Sequence, residues 1–143
     1  MKIKYYLLFV LIYFTPVLGS SDQNFFDKAK NFFEKKKYKK SKFLFQRNIV
    51  HNPKNAQSYL YLAKIFQIED NKKELIKNLD TTLLLEPNNE EAMYILINVE
   101  LENSNFSKVK KLNEKFKLIC SSLCPKISLI NERLKDFQEK EDS

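Results

Sequence analysis

The chain has 143 residues, a formal net charge of +7 and 43% hydrophobic residues, which is ordinary composition for one globular domain. One glycine and four prolines are too few for the many tight turns of a β-sandwich or barrel, so the composition favours long helices. A single glycine also excludes a glycine-rich phosphate loop.

The first 19 residues follow the three-part pattern of a secretory signal peptide. Lys2 and Lys4 form a basic start, residues 5–14 are apolar, and a proline and small residues follow. Val17 and Gly19 are the small residues that predict cleavage after Gly19. Because the apolar block is short for a membrane span, we predict export, with an uncleaved membrane anchor as the alternative.

Export determines the expected location and the expected partners. We predict a bacterial periplasmic protein, with an inner-membrane-anchored or a secreted protein as alternatives. In that setting a nucleic-acid partner is not expected. The lysine-rich run at residues 28–47 is therefore interpreted as a solvated face, with an acidic partner or an anionic membrane surface as the alternative.

Seven helices are predicted after the signal segment. Apolar residues recur at intervals of three and four, as on one face of an amphipathic helix. The breaks between runs, such as "HNPKN" and "EPNN", are short enough to make neighbouring helices antiparallel. The predicted runs are 24–37, 38–50, 56–68, 71–85, 90–102, 105–120 and 125–140.

The helical runs repeat along the chain. Pro53 and Pro87 lie 34 residues apart, which is the period of the tetratricopeptide repeat. With repeats starting at Asp22, Ala56 and Glu90, the core positions of the family carry mostly suitable side chains. Position 4 has Phe25, Tyr59 and Met93; position 8 has Ala29, Ala63 and Ile97; position 11 has Phe32, Phe66 and Glu100; position 24 has Phe45, Leu79 and Asn113.

The chain thus resembles the tetratricopeptide family from residue 22 to about residue 121. The resemblance implies an all-α fold, a right-handed superhelix of antiparallel helix pairs. The units are expected at about 22–55, 56–89 and 90–123, and an amphipathic helix at about 125–140 would cap the last one. Some residues depart from the family pattern: Lys28 and Asn48; Ile97, Glu100 and Asn113; and Lys36, Asp70 and Ser104 in place of the turn glycine.

Residues with catalytic or metal-binding chemistry are scarce. His51 is the only histidine, and it lies at a predicted helix end, where it can interact with terminal carbonyls. Cys120 and Cys124 alone cannot complete a zinc site. We predict no enzyme, no cofactor and no metal site. For the cysteines we predict a structural disulfide that closes the turn before the last helix, with two free thiols as the alternative.

The family resemblance implies that the first helix of each pair lines a concave groove that holds a partner segment. Carried over to this chain, the groove residues are Phe26, Lys30, Phe33, Leu60, Lys64, Gln67, Tyr94, Asn98 and Leu101. They form an apolar strip beside a row of polar residues with two lysines. Such a groove suits a segment of another protein or a peptide, which could be acidic because lysine attracts carboxylates. Alternatively, Phe26 and Phe33 pack on the capping helix or on another copy, since three units leave an open end.

The sequence therefore predicts a non-catalytic protein-binding or scaffold module outside the cytoplasm. Two alternatives remain open: a membrane-anchored subunit of an envelope complex, and an accessory subunit of a secreted enzyme. The carboxylate clamp of chaperone-binding family members needs lysine at position 5. Here that position is apolar in all three units, so this clamp is not reproduced.

Overall fold

The computed structural model describes residues 23–141, with the side chains of residues 25–137, and contains seven α-helices and no strand in that part of the chain. The signal segment lies outside the described residues. The helices are α1 (Gln23–Glu34), α2 (Tyr38–His51), α3 (Ala56–Ile68), α4 (Lys72–Leu85), α5 (Glu90–Glu102), α6 (Phe106–Ile119) and α7 (Lys126–Glu141). The prediction of an all-α superhelix of helix pairs is confirmed.

The turn inside each helix pair needs a left-handed residue. Lys36, Asp70 and Ser104 have φ values of 55°, 52° and 56°. In each turn the next residue donates its backbone N–H to the carbonyl five residues earlier, as from Lys37 to Phe32 at 2.8 Å. This is the helix ending at which glycine is favoured. The three residues therefore occupy the place of the family's turn glycine.

Proline and asparagine organise the connections between pairs. Pro53 and Pro87 each follow the residue that ends a helix, because proline cannot continue one. Two residues further on, Asn55 and Asn89 accept the backbone N–H of Ser58 and Ala92, both at 2.9 Å. An asparagine side chain at this place satisfies a free N–H of the first turn. Each junction therefore ends one helix and starts the next within a few residues.

One hydrophobic core joins the first two pairs and α5 of the third. Small residues let the helices of a pair cross closely, and the Ser41 hydroxyl donates a hydrogen bond to the Ala29 carbonyl at 2.8 Å in the first crossing. Phe45 and Leu79 are fully buried at the same repeat position. The remaining members of this core include Ala63, Ile65, Phe66, Leu75, Leu96 and Val99.

A second core joins the third pair to α7. Ile97, Val109 and Phe116 of the pair pack with Ile130 and Leu134 of α7. Three departures from the family pattern, Ile97, Glu100 and Asn113, are buried here or beside it, and the two polar ones have hydrogen-bond partners in the third pair or on α7. Glu100 is 4% exposed and binds Lys108 Nζ at 2.7 Å and Asn105 Nδ2 at 3.0 Å. The Asn113 Nδ2 group donates to Asn131 Oδ1 at 2.8 Å.

Candidate partner-binding groove

A cleft of about 750 Å³ opens between α3, α5 and α7. Tyr94, Ile95 and Leu123 give it an apolar surface, and polar side chains surround them. The cleft is lined by Lys64 and Gln67 of α3; Glu90, Glu91, Tyr94, Ile95, Asn98 and Glu102 of α5; Ser122 and Leu123 of the α6–α7 loop; and Arg133 of α7. The first helices of two successive pairs share this cleft with the capping helix.

Four of the nine predicted groove residues line this cleft: Lys64, Gln67, Tyr94 and Asn98. Leu60 and Leu101 are 2% and 1% exposed. Both side chains belong to the hydrophobic cores, and Leu60 also lines a separate surface cleft with Gln57 and Glu91, so their role as contact sites stays a prediction.

The three groove residues predicted on α1 lie apart from the cleft. Phe26 and Phe33 pack in an edge-to-face arrangement on Tyr61, with ring centroids 6.0 and 5.1 Å from it, and Phe26 also meets Phe45. They are half-buried within this aromatic cluster and form no open strip. The alternative prediction, packing on the capping helix or on another copy, differs from these contacts, which lie within the first two pairs. Lys30 is exposed on α1.

The polar rim of the cleft is already paired. Lys64 forms an ion pair with Glu91, and its ammonium group lies 5.1 Å from the ring centroid of Tyr61. Arg133 donates to Asn98 Oδ1 at 3.3 Å, and the Asn98 amide donates to the Tyr94 carbonyl at 2.8 Å. The side chains that could contact a partner are therefore held in fixed positions, so little ordering remains to be done on binding.

The charge of the cleft differs from that of the predicted row of polar residues. Three glutamates line it, against Lys64 and Arg133 as the cations. An acidic segment that approached Lys64 would have to compete with Glu91 for the same ammonium group. Partner acidity thus stays a prediction that the charges of this cleft do not favour, and apolar and backbone contacts are the stronger attraction.

Glu90 fixes one wall of the cleft. Its carboxylate accepts the backbone N–H groups of Ser121 at 2.7 Å, Ser122 at 3.2 Å and Leu123 at 3.2 Å, and the Ser122 hydroxyl also donates to it. These donors, above all the Ser122 hydroxyl, lower the pKa of Glu90 to about 2, because they stabilise the charged form. The start of α5 is thereby tied to the loop before α7.

Cys120 and Cys124 close this loop. Their sulfurs lie 2.05 Å apart, at disulfide bonding distance, as predicted for a bond between the third pair and the capping helix. Ser122 and Leu123 lie inside the closed loop and line the cleft. The cysteine pair therefore holds part of the groove wall as well as the chain turn.

Sequence reasoning missed Glu90, Ser122, Leu123 and Arg133 as groove residues. None of them lies at a groove position of a regular repeat. They reach the cleft because α7 folds back on the third pair, and that contact is tertiary. Only the polar "SS" between the two cysteines hinted that the loop could bind a carboxylate.

The single histidine, a candidate for catalytic or metal-binding chemistry, has a structural contact. His51 stacks on Phe25 with ring centroids 5.5 Å apart, at the helix end where it was expected. Across residues 23–141 no group of three His, Cys, Asp or Glu side chains could hold a metal ion. Within the same part of the chain, every helix is too short or too polar to cross a membrane.

No protein-family model matches the chain, and no curated protein matches its sequence. Solved structures do match. The chain is similar to the TPR2B domain of yeast Sti1 in complex with pHsp70, with a TM-score of 0.71, 12% identity, and coverage of 80% of this chain and 96% of that chain.

Two further similar structures contain peptides. For the Yersinia enterocolitica secretion chaperone SycD in complex with a peptide of the translocator YopD, the TM-score is 0.69 and the identity 12%, covering 83% of this chain and 93% of that chain. For the second TPR domain of human RPAP3 in complex with the HSP70 peptide SGPTIEEVD, the values are 0.68 and 17%, covering 80% and 94%. The chain therefore has the tetratricopeptide fold, a superhelix of antiparallel helix pairs, and its first helices α3 and α5 line the cleft.

Proposed function

We propose that the protein is a non-catalytic binding module that holds a segment of a partner protein in the groove between α3, α5 and α7, outside the cytoplasm. The main support for this proposal is the groove itself, in which Tyr94, Ile95 and Leu123 form an apolar patch inside a rim of paired polar side chains. Pockets with this composition are typical of binding sites, where apolar area gives affinity and a few polar groups give orientation. Peptides in the SycD and RPAP3 complexes support the same use of this fold.

The chemistry of the groove defines the partner segment. An apolar side chain of the segment would cover Tyr94 and Ile95, while its backbone would meet the Asn98 amide and Gln67. Arg133 would offer its remaining guanidinium N–H groups to a backbone carbonyl or a carboxylate. This favours an extended or helical segment with at least one large apolar residue.

The location outside the cytoplasm is part of the proposal. It rests on the basic start, the apolar block at residues 5–14 and the small residues up to Gly19. A cysteine pair at bonding distance fits an oxidising compartment. The runner-up, a membrane-anchored subunit of an envelope complex, keeps the same groove. N-terminal sequencing of the protein from its own cells separates the two, since a start at Ser20 means cleavage.

Photo-cross-linking in cells tests the groove. A photoreactive amino acid in place of Gln67 lies in the groove, and the same amino acid in place of Gln46, an exposed residue of α2, serves as the matched control. We expect discrete protein adducts from position 67 only, and mass spectrometry then identifies the partner. Adding Arg133→Ala to the position-67 chain should weaken them. Identical adducts from both positions would refute a groove-bound partner.

A further inference from the structure

The positive charge of the chain lies on the second helices of the pairs. Helices α2, α4 and α6 carry eleven lysines and one arginine against three acidic residues, a net charge of +9. The first helices α1, α3 and α5 carry three lysines against six acidic residues, a net charge of −3. Three of the lysines, Lys42, Lys72 and Lys108, form ion pairs with Glu69, Glu102 and Glu100 outside these helices, which reduces the net charge from +9 to +6. The convex side, formed by the second helices, is therefore basic, and the concave side, formed by the first helices, is weakly acidic.

A row of exposed apolar side chains runs along the same side. Val50, Leu84 and Leu118 are 79%, 80% and 86% exposed and are spaced by the 34-residue repeat. They hold one position in three successive pairs, so they form one row across α2, α4 and α6. Phe43, two turns before Val50 on the same face, is 59% exposed. A repeated apolar position that is not core is typical of a contact surface.

Lysines accompany this row on the same face of each helix. Residues seven or eleven positions apart share a helix face. Lys39 precedes Val50 by eleven residues, Lys73 and Lys77 precede Leu84 by eleven and seven, and Lys111 precedes Leu118 by seven; all four are exposed. Two acidic residues, Asp80 and Glu114, also lie on this face, and Glu114 is ion-paired with Lys117 at 2.6 Å.

A cleft of about 450 Å³ continues the apolar row between α4 and α6. Leu83, Leu112, Leu118 and Ile119 supply much of its apolar lining, and Asp80, Lys108 and Lys115 lie at it as well. Because Lys108 is ion-paired with Glu100, Lys115 is the cation that this apolar recess offers to an anionic group above a hydrocarbon chain.

We propose that the convex face formed by α2, α4 and α6 binds the surface of an anionic lipid bilayer. The row Val50, Leu84 and Leu118 would enter the boundary between head groups and acyl chains, and the lysines would lie among the lipid phosphates. The attraction between the protein and the bilayer is distributed over many lysines and a few apolar side chains that insert only a short distance. Binding therefore does not depend on one fixed arrangement of lipids.

Two observations favour a membrane over a protein partner. Protein interfaces are depleted of lysine and enriched in arginine and aromatic residues, whereas eleven of the twelve cations on these helices are lysine. The segment at residues 5–14, predicted to serve export or anchoring, would also bring the chain to a membrane. Because the groove lies on the opposite side, a bilayer-bound chain keeps it open to a partner.

Vesicle flotation tests the proposal on the full chain as its own cells process it. The probes are vesicles of phosphatidylcholine mixed with phosphatidylglycerol, and vesicles of phosphatidylcholine alone. We expect binding to the anionic vesicles that weakens as salt is added. Lys73→Gln with Lys111→Gln should lower the partition coefficient roughly 30-fold, since each lysine near an anionic surface contributes about 1 kcal/mol. Leu84→Gln with Leu118→Gln should lower it at least about tenfold.

Matched variants control for charge and hydrophobicity. Lys28→Gln with Lys30→Gln removes the same charge from α1, and Ile68→Gln with Leu129→Gln removes exposed apolar residues outside the row; both should bind as the parent chain does. Equal binding of every variant to both vesicle types overturns the proposal, because the segment at residues 5–14 and not the convex face would then hold the chain on the membrane. Equal binding of parent and row variants to anionic vesicles overturns the proposal. The proposal is also overturned if the variants of the row Val50, Leu84 and Leu118 still bind anionic vesicles but no longer form a dimer or no longer bind an acidic protein partner.

Discussion

The second and third helix pairs fill the same core positions with different side chains. At repeat positions 8, 11 and 24 the second pair has Ala63, Phe66 and Leu79, all buried. The third pair has Ile97, Glu100 and Asn113 at these positions, also buried. The second pair lies between two other pairs, so apolar side chains suit both of its faces. The third pair meets α7 instead.

This difference changes how each unit is held. In the third pair Glu100 binds Lys108 and Asn105 within its own hairpin, and Asn113 reaches Asn131 on α7. Glu90 and the closed cysteine loop add further ties between the pair and α7. Apolar stacking holds the middle of the molecule, and at the C-terminal end polar pairs and a covalent link supplement the second hydrophobic core.

The largest expected effect comes from truncation at repeat position 24. Leu79→Ala should lower the free energy of unfolding by about 3 kcal/mol, because Leu79 is fully buried and a cavity would remain. Asn113→Ala should lower it by at most about 1 kcal/mol, since among the described residues the Asn113 Oδ1 atom has no hydrogen-bond partner and its loss offsets part of the cost. Denaturant unfolding measures both. Equal losses would remove the distinction between the pairs.

The cysteine loop gives the next largest effect. Cys120→Ser with Cys124→Ser should lower the free energy of unfolding by about 2 kcal/mol, the loss expected for a loop this short. Hydrogen exchange should speed up in residues 119–126 and leave the second pair unchanged. A titration of the unfolded, unreduced parent chain that finds two free thiols would show that the bond does not form.

The fold was largely predictable because the repeat period constrains many positions at once. The spacing of Pro53 and Pro87 and the apolar stripes predicted the seven helices to within a few residues. Even the departures at Lys36, Asp70 and Ser104 identified the left-handed turn residues. Position in a repeat predicts backbone geometry well, since each unit is built by the same local contacts.

The groove was less predictable because exposure depends on neighbours in space. Leu60 and Leu101 share repeat positions with groove residues, yet both are buried. Arg133 comes from the capping helix, and Ser122 comes from the loop before it, at no groove position of a repeat. The charge segregation between first and second helices was present in the sequence. This segregation is found when the charges are summed for each helix. It is missed when only the lysine-rich run at residues 28–47 is considered.

The turn residues predict a smaller effect that is common to all pairs. A non-glycine residue with positive φ is strained, so Lys36→Gly and Ser104→Gly should each raise the free energy of unfolding by up to about 1 kcal/mol. The gain should be the same in the first and third pairs, because the turn does not depend on what the pair packs against. Lys35→Gly is the control: Lys35 has no positive φ, so it should show no gain. A gain confined to one pair would mean that the turns are not equivalent.

The smallest effect concerns pH and the tie at Glu90. Its folded-state pKa of about 2 lies below the ordinary value of 4.5, so the ionised form contributes stability that is complete above pH 4.5 and declines as pH falls toward 2. Solvent screens this exposed carboxylate, which keeps the contribution small. Glu90→Gln should therefore reduce the loss of stability across that interval and loosen the Ser121–Leu123 loop at neutral pH.

A series of denaturant unfolding curves from pH 2 to pH 7 measures this effect. Glu132→Gln, which removes an exposed carboxylate on α7, is the control. The two variants differ in one respect: only Glu90 accepts the N–H groups of the loop. If both variants changed the pH profile alike, the tie between α5 and the groove wall would not contribute, and the third pair would be held by its hydrophobic core, its buried polar pairs and the cysteine link.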